Sequence, residues 1–134
     1  MLVARHGELI YRRAAGLADR ELGRPMTGDA IFRLASVSKP IVSAAALVLV
    51  AQGRLNLDEE IAPWLTEFQP RMADGRPARI TVRQLLSHTA GLGYRFFETH
   101  ANGPYARAGV SDGMDASAIS LADNLRPIGS VPLL

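Results

Sequence analysis

The 134 residues include 48% apolar and 21% charged side chains, which suits one globular domain or part of a larger one. Net charge is only +2 and the fourteen arginines are scattered, which argues against nucleic acid or an anionic membrane as a partner. No cysteine is present, so disulfides, thiol catalysis and thiolate metal sites are excluded.

Met1 to Arg5 is apolar and β-prone, His6-Gly7 is a turn dipeptide, and Glu8 to Ala15 resumes a strand-like run. A hairpin is expected, with Gly7 supplying the positive φ of a tight turn. Gly16 to Asp29 is polar and punctuated by Gly and Pro, so it reads as a surface connection. Ile31 to Ala35 reads as a brief strand entering a helix over Val37 to Gln52. Pro40 must then lie in the first helical turn, where its missing N–H is not needed, and Gly53 is a good C′ residue. Ile41 to Ala51 is apolar on every side except Ser43, the pattern of a helix buried by its neighbours. At eleven residues that run falls short of the ~18 needed for a membrane span.

Arg54 to Phe68 suggests a turn and a short helical piece, with Pro63-Trp64 as a packing anchor. Gln69 to Arg79 reads as a loop. Thr81 to Ser87 reads as a helix with a Thr81–Gln84 capping box, ended by the glycine-rich HTAGLG turn from His88 to Gly93. Tyr94 to Asp115 has no sustained period and reads as a long loop. Ser120 to Arg126 resembles a short helix capped by Ser120 and stopped near Pro127.

Ser36 and Lys39 stand out at the start of the apolar helix. Lys39 is the only lysine, in a chain that uses arginine wherever a plain cation serves. An ammonium gives up its proton when desolvated, whereas a guanidinium does not. The i, i+3 spacing puts both side chains on one helical face. The positive end of the helix dipole favours an oxyanion there, and together with desolvation it favours the uncharged amine. A neutral amine beside a hydroxyl is a general base beside a nucleophile, the arrangement acyl transfer requires. With eight serines in the chain, however, the spacing arises by chance about 6% of the time. A capping serine with a snorkelling lysine needs no catalysis, so spacing alone leaves both readings open.

FRLASVSKPIVSAAALVLVAQG, LNLDEEIAPWL and ITVRQLLSHTAGLGY together resemble the serine hydrolases of the class C β-lactamase superfamily, which includes DD-peptidases and family VIII carboxylesterases. The resemblance covers most of positions 16 to 134 in order, spacing and residue type. GLADRELGRPM, GVSDGMD and NLRPIGSVPLL look most like the esterase branch. It implies an α/β (α+β) β-lactamase/transpeptidase-like fold, with Ser36 as the acylated serine and Lys39 as its base partner. It also implies that the Ser36 N–H is half of the oxyanion hole, and that LLSHTAGL shapes the site without His88 being catalytic. The implied substrate is a small-molecule ester or β-lactam, and no cofactor or metal is implied.

The departures matter as much. The family's second motif, Tyr-x-Asn or Tyr-Ser-x-x, is not found around Tyr11, Tyr94 or Tyr105, and Ser111-Asp112-Gly113 lacks the Asn of the related Ser-Asp-Asn. The late Lys/His/Trp-x-Gly motif is absent. Residues 1–134 are therefore expected to form a partial hydrolase domain: an N-terminal hairpin, a buried nucleophile helix and part of the helical region. The C-terminal sheet strands are expected to be lacking, and the chain to be shortened before Met1 as well. Negligible turnover is expected of the isolated chain, with a complementing C-terminal segment as a candidate partner; a non-catalytic fragment or binding module is the alternative. No signal peptide is visible, which leans towards the cytoplasm. His6, His88 and His100 are too dispersed for a local metal site. Asp58-Glu59-Glu60 reads as dipole partners at a helix start, and Trp64 as core.

Overall fold

The computed structural model describes residues 1–114 and 118–134, so Asp115, the last residue of GVSDGMD and of the expected long loop, lies outside them. The chain divides into two compact units, Met1–Pro40 and Ile41–Leu134.

In the first unit, β1 (Leu2–Arg5) pairs antiparallel with β2 (Glu8–Arg12), with a register shift between Val3 and Ala4. His6 (φ +51°) and Gly7 (φ +81°) give the two successive positive φ values of a type I′ turn, whose twist matches the flanking strands. The segment expected as a plain connection contains a second ribbon, β3 (Leu17–Asp19) with β4 (Arg24–Pro25). The Asp19 carboxylate folds the intervening turn by accepting the Leu22 N–H at 2.9 Å. The strand expected over 31–35 does not form, and Ile31 is 99% exposed. Among the described residues no strand pairs with this segment, and propensity alone does not make a strand.

Helix α1 (Ser38–Ala51) follows a 3₁₀ turn at Ala35–Val37 and carries Pro40 in its first turn. Its end is a Schellman motif: Gly53 at φ +67° donates to Val50 O at 2.9 Å, and Arg54 N–H to Leu49 O at 2.9 Å. The expected burial of α1 is not met, because none of its residues is buried; Ile41, Val42, Leu47 and Val48 are all more than half exposed. Apolar composition marks a helix that gains from cover, but the cover has to come from other elements.

The second unit is built on a core of Ile61, Phe68, Ile80, Val82 and Leu133, and a smaller cluster of Tyr105, Val110 and Val131. No helix forms over 54–68; the chain makes consecutive turns, in which Ile61 N–H donates to Ile80 O and Phe68 N–H to Leu65 O. Trp64 is 66% exposed and is not core; the buried anchors of this stretch are Ile61 and Phe68. Helix α2 (Val82–Leu86) has the full capping box, Thr81 Oγ1 accepting from Gln84 N–H and Gln84 Oε1 from Thr81 N–H. It too closes in a Schellman motif, here with His88 rather than glycine at C′: φ is +60°, and Thr89 N–H donates to Gln84 O at 2.9 Å.

Within the expected loop lie a 3₁₀ turn at Arg95–Phe97 and helix α3 (Pro104–Arg107). The Glu98 carboxylate accepts the Tyr105 and Ala106 N–H groups at the start of α3, at 2.6 and 3.1 Å. Helix α4 (Leu121–Ser130) is capped by Ser120, as expected, but runs through Pro127 instead of stopping there. Packing explains the overrun. Leu125 and Ile128 sit against the core, and Gly129 lies so close to Phe68 and Gln69 that a Cβ would approach the Gln69 nitrogen to 3.0 Å. The last residues close on the HTAGLG turn, where Leu134 N–H donates to Gly91 O at 2.9 Å. Gly91 has φ +75°, and a Cβ there would meet Leu134 O at 3.1 Å.

Candidate active site

Ser36 sits inside the 3₁₀ turn that leads into α1, and Lys39 in the first turn of the helix itself. Val37 N–H donates to Leu34 O at 2.9 Å, and Ser38 N–H to Ala35 O and Ser36 O, which winds the chain tightly enough to stack positions i and i+3. Lys39 Nζ lies 3.0 Å from Ser36 Oγ, a hydrogen bond between the two side chains singled out by spacing. Both residues are exposed, so the burial expected around Lys39 is not met. The Ser36 N–H stands at the start of a helical turn, where N–H groups have no intrahelical acceptor.

Ala35 is the residue that sequence reasoning passed over. Its φ is +44°, a left-handed conformation that costs a non-glycine residue about 1 kcal/mol or more. The only hint in the sequence is that a small side chain stands directly before the serine.

The other candidates go elsewhere. His88 is exposed and serves as a helix terminus, and among the described residues no three His, Cys, Asp or Glu side chains converge as a metal site. Tyr11 lies in β2, Tyr94 stacks on Phe96, and Tyr105 is buried with its hydroxyl accepting the Gly93 N–H at 2.7 Å. Ser111 is clamped by Asn124, whose amide accepts its N–H and donates to its carbonyl. The three acids 58–60 are not dipole partners, since no helix begins there. Asp58 pairs bidentately with Arg83 at 2.8 and 2.9 Å, Glu59 accepts the Trp64 Nε1–H, and Glu60 pairs with Arg79. The hydrogen bond from Arg83 holds the Asp58 carboxyl below its usual range, and Asp58 in turn raises Arg83. Both are exposed, so the pair adds little to stability. Among the described residues no helix is long and apolar enough to cross a membrane.

Comparison with known proteins places this geometry in context. The Beta-lactamase family matches residues 1–133. Esterase EstB of Burkholderia gladioli is 56% identical over 132 residues, which are 98% of this chain and 33% of the esterase. Penicillin-binding protein 4* of Bacillus subtilis is 32% identical over 92 residues, 69% of this chain and 19% of that protein. The solved structure of EstCE1, a hydrolase with promiscuous acyltransferase activity, superposes with a TM-score of 0.91 at 48% identity, covering 99% of this chain and 35% of its own. The chain thus spans about a third of the length of Esterase EstB and of EstCE1.

Proposed function

Because the chain belongs to the Beta-lactamase family and has its β-lactamase-like fold, we propose that it carries the nucleophile and base of a serine hydrolase acting on carboxylic esters. The observation that carries this reading is the 3.0 Å separation of Ser36 Oγ and Lys39 Nζ at a helix start. With the amine neutral, Lys39 Nζ takes the hydroxyl proton as Ser36 Oγ forms a bond to the ester carbonyl carbon. The carbonyl π electrons move to oxygen, and the Ser36 N–H is one donor to the resulting oxyanion. Collapse of the tetrahedral species breaks the bond to the alcohol oxygen, which leaves with a proton, and water then hydrolyses the acyl-serine.

The name Esterase EstB favours an ester over a lactam, with β-lactam or peptide substrates next. Residues 1–134 are proposed as one part of the hydrolase domain. Turnover by these residues alone is expected to be negligible, since one oxyanion donor and a second proton-transfer group are unaccounted for among them. The exposed apolar side chains of α1 support a complementing C-terminal segment as the natural partner. The test is hydrolysis of p-nitrophenyl butyrate by the 134-residue chain, alone and mixed with the C-terminal two-thirds of EstB. Activity is expected only in the mixture and should fall 10²-fold or more, roughly, with Lys39→Ala. Unchanged activity in Lys39→Ala would favour the non-catalytic reading of the pair.

A further inference from the structure

Three residues other than glycine adopt a positive φ among those described: His6, Ala35 and His88. Two have an evident reason. His6 occupies a hairpin turn that needs two positive φ values, and His88 closes a helix at C′, where the left-handed conformation is the rule. Histidine also enters this region more readily than most side chains. Ala35 has neither excuse. It precedes a helix rather than ending one, and it has no polar side chain with which to stabilise the conformation locally. In the turn closed by Val37 N–H and Leu34 O, it is the second residue, a place with positive φ that glycine, asparagine and aspartate dominate. Ala35 is thus the residue of this unit whose positive φ its side chain does not favour, and it is the one bonded to Ser36.

We propose that Ala35 is a positioning residue for Ser36: its left-handed conformation sets the direction of the next peptide, which carries the Ser36 N–H, and so brings Ser36 Oγ onto Lys39 Nζ. The proposal rests on Ser36 being the nucleophile. A strained turn that lifts a serine into view ahead of a helix recurs in hydrolases of other folds, which gives the arrangement a physical precedent. Side-chain size explains why alanine is tolerated: any branch at Cβ makes positive φ a genuine outlier. Glycine adopts the same conformation freely.

The experiment is labelling of the 134-residue chain, mixed with the C-terminal two-thirds of EstB, by excess fluorophosphonate, followed by the intact mass of this chain, with Ser36→Ala as background and the helicity of each variant checked by circular dichroism. Ala35→Gly should label within about twofold of the parent rate, and Ala35→Val about tenfold or more slower with helicity retained. The decisive readout is a double-mutant cycle with Lys39→Ala. If Ala35 acts by placing Ser36 against Lys39, the Ala35→Val, Lys39→Ala double variant should label no more than about threefold slower than Lys39→Ala alone. Multiplying effects, or parent-like labelling in Ala35→Val, would overturn the proposal. Should Ala35→Val lose its helix, Ala35→Gly still decides, because a tenfold loss there would show that the methyl group and not the conformation matters. In that mixture, a parent chain labelled no faster than Ser36→Ala would instead overturn the nucleophile reading beneath it.

Discussion

Helices α1 and α2 invert the usual relation between apolar content and burial. The longer, α1, has fourteen residues and almost no polar side chain, yet none of its residues is buried. The shorter, α2, is only five residues long and bears Arg83 and Gln84, yet Val82 is buried and both ends are fully capped. Apolar content states what a segment gains from being covered, whereas burial depends on what the rest of the molecule places against it. Around α2 the cover comes from the 54–80 turns and the last residues of the chain. For α1, no residue of this chain is buried against such cover, and the chain spans only about a third of the length of Esterase EstB and of EstCE1.

The contrast predicts very different responses to truncation. Phe68→Ala, in the core beside Ile61 and Ile80, should destabilise the chain by about 3–5 kcal/mol in urea unfolding. Leu47→Ala, on half-exposed α1, should stay within about 0.5 kcal/mol. A complementing C-terminal segment would erase that difference, raising the Leu47→Ala penalty to about 2–5 kcal/mol in the mixture. Gly91→Ala should cost about 1–3 kcal/mol, because it combines positive φ with a close approach to Leu134, and thermal melting would detect it. Thr81→Ala removes half of the capping box and should cost about 1 kcal/mol by the same measurement.

The smallest effect concerns pH. Arg83 lowers the Asp58 carboxyl in the folded state, so its contribution is present above the usual value of 3.8 and is lost as pH falls through the lower folded value. Asp58→Asn should therefore flatten the melting-temperature profile slightly below about pH 4 and change little of its slope at neutral pH. An unchanged acid limb would mean that the exposed pair carries no measurable coupling.

What was legible in the sequence follows the same division. Features decided within a few residues were readable: the His6-Gly7 turn, Pro40 in a first turn, Gly53 at C′, the Thr81–Gln84 box and the Ser120 cap. The Ser36–Lys39 spacing belongs with them, since one helical turn is enough to bring the two side chains together. Features decided by distant neighbours were not readable. The passage of α4 through Pro127 depends on Phe68, some sixty residues away, and the exposure of Trp64 on which side chains fill the core first. The β3–β4 ribbon was hidden because two- and three-residue strands leave no alternation to detect. The left-handed Ala35 and His88 leave no mark in the sequence, because glycine is the residue that signals positive φ.

The proposed activation of Ser36 by Lys39 can be read from a single adduct. Peptide mapping after fluorophosphonate treatment of the 134-residue chain, mixed with the C-terminal two-thirds of EstB, locates it. One adduct is expected on this chain, on Ser36, formed ~100-fold more slowly in Lys39→Ala. An adduct on another serine of this chain, or equal rates with and without the Lys39 amine, would overturn the proposed pairing.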